Sequence, residues 1–174
     1  MLSDTAKQQL RKAGWYEGRK IDVSHYEKKF TELGYEFFPA ARRFLEEFGD
    51  LHIVDRLNWD DIKPGCIGIN ESSTELERLN CLLMWYDDEL FEKVGKKVIP
   101  VAIIDYENIE IYISEDGKFY EGINDYSDGG LRAENSDQLW NEYYGAEEAG
   151  WASWEDLKAG KGRTMRKNNY RIYL

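Results

Sequence analysis

The hydrophobic pattern is clearest between Val98 and Tyr120. Val98-Ile99-Pro100-Val101-Ala102-Ile103-Ile104 is an almost unbroken apolar run. A strand buried on both faces reads this way, although periodicity alone also fits a short buried helix. The Val and Ile content and the turn-prone Glu107-Asn108 favour the strand. Ile109, Ile111 and Ile113 then alternate with Glu110 and Tyr112, which places the isoleucines on one face of a second strand. Asp116-Gly117 signals a hairpin, because glycine takes positive φ without a Cβ clash, and Lys118-Phe119-Tyr120 returns. The pattern predicts a three-stranded meander at the centre of a sheet.

Helical periodicity dominates the first fifty positions. Ser3 or Asp4 caps a first helix with Ala6, Leu10 and Ala13 on one face, and Gly14 ends it. Asp22 or Ser24 starts a second, with Glu27 placed to complete a capping box with Ser24. Its stripe is Tyr26, Phe30 and Leu33, and Gly34 closes it. Pro39 opens a third, carrying Ala41, Phe44, Leu45 and Phe48 and ending at Gly49. Leu51 to Asp55 and Cys66 to Ile69 read as strands joined through a Pro64-Gly65 turn. Thr74-x-x-Glu77 reads as a capping box opening the longest helix, with Leu76, Leu79, Leu83, Tyr86, Leu90 and Val94 on one side and Gly95 at its end. Glu75 and Glu77 near its start and Lys93, Lys96 and Lys97 near its end complement the helix dipole. Asn124 to Gly130 reads as an acidic loop, and Ser136 caps a last helix through Leu139, Trp140 and Tyr143. Gly145 to Gly160 is ambiguous, with Ser153 a candidate helix start, and Tyr170 to Leu174 has the composition of an edge strand. The expected fold class is α+β: one domain with a central mixed or antiparallel sheet, a meander at about 98–121 and several flanking helices.

Composition supports a folded chain. Of 174 residues, 42% are hydrophobic, with six Trp, twelve Tyr and seven Phe, enough to build a core. No apolar run is long enough to span a bilayer, and Met1-Leu2-Ser3-Asp4 does not open a signal peptide. Cys66 and Cys81 have no metal-motif spacing, and two free thiols fit a reducing cytoplasm. The net charge is −11, and it is unevenly spread. Six of the 23 basic residues fall between Lys158 and Leu174, which has no acidic residue, leaving 17 against all 34 acidic ones. So acidic a body repels nucleic acid and anionic lipid and steers basic partners toward itself, although acidity also serves solubility alone.

Catalytic patterns are missing from the chain. His25 and His52 have no Cys, Asp or second His at metal spacing, and neither a nucleophile elbow nor a His-Glu-x-x-His run occurs. Asp87-Asp88-Glu89 lies on the long predicted helix, where adjacent residues do not share a face. Asp125-x-x-Asp128-Gly129 lacks the alternating oxygen ligands of a calcium loop. Gly160-Lys161-Gly162-Arg163-Thr164 lacks the full phosphate-loop spacing. The six tryptophans are core residues first and interface anchors second. A hydrolase using two carboxylates of separated pKa remains a reading, but nothing singles out the pair.

The order of motifs is more telling than any one of them. Leu10-Arg11-Lys12-Ala13-Gly14-Trp15-x-x-Gly18-Arg19 resembles the opening signature of the third subgroup of the SUKH superfamily of immunity proteins. Ala41-Arg42-Arg43-Phe44-Leu45-Glu46-Glu47-Phe48-Gly49-x-Leu51 is similar to its next block. A helix leading into Gly95 and Ile99-Pro100-Val101-Ala102 resembles the third, and Ile111-x-Ile113-Ser114-x-Asp116-Gly117-x-x-Tyr120 the last. The resemblance covers roughly residues 2 to 145. It implies a SUKH-like unit over 1–145, and 146–174 is expected to be a C-terminal extension with the basic tail, packed on the same domain. It implies a non-enzymatic, cytoplasmic bacterial protein which binds and neutralises a cognate toxin, many such toxins being nucleases; from the residues themselves no cofactor or metal is expected. The alternative within the superfamily is a general interaction or regulatory scaffold. The partner expected is a protein toxin, with no direct nucleic-acid contact and no membrane, the chain itself being a monomer or weak dimer. Gly14, Trp15, Gly18 and Arg19 are expected to be structural: a tight turn, a core tryptophan and an arginine pairing a carboxylate. The expected partner-binding acids are Glu107, Glu115, Asp116, Asp125 and Asp128.

Overall fold

Three short amphipathic helices begin the chain, and each stops at a glycine or just before one. They are α1 (Asp4–Lys12), α2 (Ser24–Glu32) and α3 (Pro39–Phe48). The computed structural model describes residues 1–57, 68–83, 88–104, 109–124 and 127–144. Ser3 caps α1 by accepting from the Ala6 amide. The capping box expected at Ser24 does not form. Asp22 takes both the amide and the hydroxyl of Ser24, and Glu27 reaches Arg42 of α3 at 2.6 Å. A short-range Asx contact and an interhelical ion pair therefore replace the box. Leu33, expected on the buried stripe of α2, is exposed because the helix ends at Glu32 and the chain turns away there.

Six strands follow: β1 (His52–Leu57), β2 (Gly68–Ser73), β3 (Val98–Ile104), β4 (Ile109–Ser114), β5 (Phe119–Asn124) and β6 (Ser127–Ala133). They form one sheet in sequence order β1-β2-β3-β4-β5-β6, every neighbouring pair antiparallel. The meander is thus twice as wide as the sequence predicts, and among the described residues it contains no parallel pair. The stretch read as an acidic loop supplies the end of β5 and most of β6, with Ile123 opposite Asp128 and Asn124 opposite Ser127. Gly129 and Gly130 give the stretch a loop composition, and pairing with β5 overrides the poor strand preference of glycine.

Between β2 and β3 the described residues form α4 (Leu76–Leu83) and α5 (Asp88–Val94), where one long helix was expected. Trp85 and Tyr86 lie outside the described residues. The two helices contribute to different apolar clusters. Leu79 of α4 joins the main core, whereas Leu90 of α5 packs with Val98 and Tyr112. Tyr112 is therefore buried on the face the alternation left polar, because α5 covers it. Thr74 does not open a capping box either. Its hydroxyl donates to the Phe48 carbonyl at 2.6 Å and accepts from the Leu51 amide at 3.0 Å, tying the end of α3 to the start of β1. The last helix, α6 (Ser136–Tyr144), is capped by Asn135, which accepts from the Gln138 amide, and not by Ser136.

The main core lies between one face of the sheet and the helices. Ile109, Ile111 and Ile113 point into it together, as their alternation requires, and share that core with side chains of α1, α2, α3 and α6. Phe44, Phe48, Phe119 and Trp140 form its aromatic centre, with Phe44 and Phe119 edge to face at 5.0 Å. Of the six tryptophans, Trp15 and Trp140 are buried; Trp59, Trp85, Trp151 and Trp154 lie outside the described residues. So do the Pro64-Gly65 turn, Cys66, the Gly160–Thr164 stretch and the tail from Lys158, including the expected edge strand at Tyr170 to Leu174. Among the described residues no helix is long and apolar enough to cross a membrane.

Candidate functional site

The glycine-flanked turn after α1 joins two helices. Gly14 and Gly18 have φ of 98° and 78°, a region that L side chains rarely adopt. Between them Trp15 is buried and stacks on Phe48 of α3, rings nearly parallel at 6.2 Å. Arg19 donates from Nη1 to the Glu47 carbonyl oxygen at 2.8 Å, not to the carboxylate the sequence suggested. The last turn of α3 has unsatisfied carbonyls, and a guanidinium is a good donor for one. Ile21 adds a second link, from its amide to the Glu46 carbonyl at 2.9 Å.

Of the five acids expected to bind a partner, the structure brings Glu115 and Asp116 together at the tip of the β4–β5 hairpin. The tip is closed by the Ser114 amide donating to Lys118 and the Gly117 amide donating to Ser114. Asp116 is engaged within the chain: it accepts from the Ser114 hydroxyl at 2.6 Å and pairs with Lys96. The Lys96 ammonium, then the Ser114 hydroxyl, hold its carboxyl below the usual aspartate value. Glu115 uses its backbone amide to bond the Lys97 carbonyl and leaves its side chain exposed. Around them Lys97 pairs with Glu36, and Lys118 with Glu134 at 2.7 Å. The tip is a mixed-charge rim rather than an acidic patch. Asp128 stands in β6 opposite Ile123. Glu107 and Asp125 lie outside the described residues.

Beside this tip is a groove that the sequence reading missed. It holds about 190 Å³ and runs between α3, the hairpin and the start of α6. Ala40, Phe44, Ile113 and Phe119 contribute apolar surface, while Arg43, Glu47, Asn135 and Ser136 are its polar lining. Gly117 packs close to Ala40, where an added Cβ would come within 3.9 Å of its methyl. Glu47 is half-buried, and that burial raises its carboxyl above the ordinary value. The Trp15 indole N–H makes no hydrogen bond of ordinary geometry, and its attraction for the carboxylate offsets only part of the effect; nearby Asp137 adds to the rise. A signal for the groove was available. Arg43 and Glu47 stand four apart, each one residue before Phe44 and Phe48, so they flank the apolar stripe of α3.

A second cluster absent from the sequence reading lies under β5, β6 and α6. Arg132 is buried between Glu121 and Glu142, pairing with the first through Nη2 and with the second through Nη1 at 3.1 Å. Its guanidinium also lies over the Tyr143 ring at 5.9 Å. The register explains how it gets there. Phe119 pairs with Ala133 and Tyr120 with Leu131, so Arg132 is the extra residue of a β-bulge, which turns its side chain inward. The arrangement is a structural ion cluster. Among the described residues no group of three or more His, Cys, Asp or Glu is placed to hold a metal ion. His25 approaches Asp50 at 3.2 Å and His52 approaches Glu75 at 3.9 Å, both near the surface.

The four blocks of resemblance fall on structural joints of one unit: the α1 turn, α3, the entry to β3 and the β4–β5 hairpin. A family model described as SUKH-3 immunity protein matches residues 2–144. No curated protein and no solved structure matches the chain. With most of its length inside that match, and its fold the α+β arrangement expected, the chain belongs to the SUKH-3 immunity protein family.

Proposed function

We propose that this protein confers immunity by binding a cognate toxin and covering the face with which the toxin acts, without turnover of any substrate. The family match over residues 2–144 carries the reading. The net charge of −11 supports its finer part. A nuclease handles a polyanion and so presents a basic face; an acidic binder is steered onto that face and excludes the nucleic acid by occupying it. Fast capture comes from the long-range field, and slow release from desolvated contacts at the centre of the interface. On this reading the complex is one-to-one and forms in the cytoplasm. Glu115 is exposed at the hairpin tip and open to a partner. Asp116 serves mainly to hold the tip through Lys96 and Ser114. Glu107, Asp125 and Asp128 complete the proposed set.

Co-expression tests the proposal. Cells producing the polypeptide encoded beside this chain should grow only when the chain is also made. Replacing Glu115 with Lys should weaken protection while the protein remains folded by circular dichroism. Equal toxicity with and without the chain would remove the immunity reading for that pair.

A further inference from the structure

We propose that the groove between α3, the β4–β5 hairpin and the start of α6 is an anchoring pocket for one long basic side chain, lysine or arginine, on the docking surface of the toxin. The inference rests on the immunity reading for the identity of the partner, but the chemistry of the pocket stands on its own.

Size and lining come first. A cavity of roughly 150 Å³ accommodates a benzene ring, and this groove holds about 190 Å³. Its apolar surface comes from Phe44, Phe119, Ile113 and Ala40, and Glu47 belongs to its polar lining. An aliphatic stem ending in a cation fits such a lining, since lysine and arginine bury their methylenes along apolar surface and keep the charged head at a polar exit. A purely aliphatic side chain would leave the half-buried carboxylate without a cationic partner.

Charge then decides the sign of the occupant. Glu47 makes no ion pair with any lysine or arginine among the described residues, and its neighbour Asp137 has the same charge. Burial already makes ionisation of Glu47 costly, so an incoming cation gains more there than at a solvated acid. Arg43, on the same wall, argues for an anion instead. It is exposed, however, so its field is screened by water, whereas Glu47 is half-buried in the lining. An anionic occupant would also approach against the net charge of −11. The two wall residues therefore make opposite predictions, which is what makes the proposal testable.

The experiment uses the full chain, labelled with nitrogen-15, and no toxin. It is titrated with N-acetyl-arginine amide, and separately with N-acetyl-norleucine amide as the uncharged control. Saturable amide shifts centred on Ala40, Phe44, Glu47, Gly117 and Ser136 are expected with the arginine compound and not with the norleucine one. Glu47→Gln should weaken the arginine compound by about threefold or more, and Arg43→Ala should strengthen it by about threefold, the range of single partly exposed charge contacts. Shifts scattered over the surface, equal binding of both compounds, or indifference to both substitutions would overturn the pocket. Arg43 is exposed, so its variant tests the pocket independently of the Glu47 variant. Repeating both substitutions against the neighbour-encoded polypeptide separates the two proposals. Wild-type binding that neither substitution alters overturns the anchor alone, while no wild-type binding overturns the immunity reading and leaves the pocket to the small-molecule titration.

Discussion

Replacing Arg132 with Met tests the account of the sheet's far edge. Its side chain is 6% exposed, against 8% for Glu121 and 20% for Glu142, so the cluster is largely closed to water. Methionine matches much of the volume but removes the cation. Two carboxylates then face one another in a site of low polarity. Breaking a buried pair by deleting one partner costs about 3–5 kcal/mol. Loss of the contact with the Tyr143 ring adds about 0.5–1 kcal/mol. A domain of this size has a total stability on the order of 5–15 kcal/mol, so the variant would lose a large share of it. At roughly 3 °C per kcal/mol the midpoint should fall by about 10 °C or more. Urea unfolding followed by tryptophan fluorescence gives the free energy directly. The double variant Glu121→Gln with Arg132→Met should regain a substantial part of the loss, because it also removes the more buried of the two stranded carboxylates and leaves only the more exposed Glu142. A single variant within about 1 kcal/mol of the wild type, or a double variant no better than the single, would refute the cluster as described.

Three further outcomes follow from other parts of the structure. Tyr26→Phe removes a hydroxyl that donates to the Thr74 carbonyl at 2.6 Å and accepts from the Asp50 amide at 2.9 Å, so unfolding should become easier by about 1–3 kcal/mol in the same urea assay. Gly49→Ala would drive a Cβ into the Leu45 carbonyl oxygen, at a cost of about 1–3 kcal/mol by thermal or urea unfolding. For Glu47 the sign follows from its raised folded-state pKa: the fold binds the proton more tightly than the unfolded chain does, so stability declines as pH rises above the ordinary carboxylate value and stays lower above the folded one. Glu47→Gln should therefore match the wild type at about pH 4 and exceed it in stability at about pH 7, as read from urea midpoints.

Much of the fold was legible because it rests on periodicity. The helices carrying Leu10, Phe30 and Phe44, and the strand carrying Ile109, Ile111 and Ile113, bury the faces that their spacing marks. The polar contacts were not legible, because each depends on chain segments far apart in sequence. Ser24 and Thr74 both head a capping-box pattern. In the fold Ser24 is taken by Asp22, and Thr74 is drawn into the α3–β1 junction, where buried backbone groups needed its hydroxyl. The first part of β6 has the composition of a loop because Asp and Gly are poor strand formers, and pairing with β5 overrides that preference. The site was less legible than the fold. Counting acids identifies Glu115 and Asp116 but not that Lys96 engages Asp116. The groove, too, needs α3, the hairpin and α6 in place before Glu47 has a setting.

Titration calorimetry of the full chain with the inactivated polypeptide encoded beside it asks whether the protein binds one toxin. One-to-one binding whose affinity falls as salt is raised is the result this account expects. No heat of binding, together with no protection on co-expression, would contradict it.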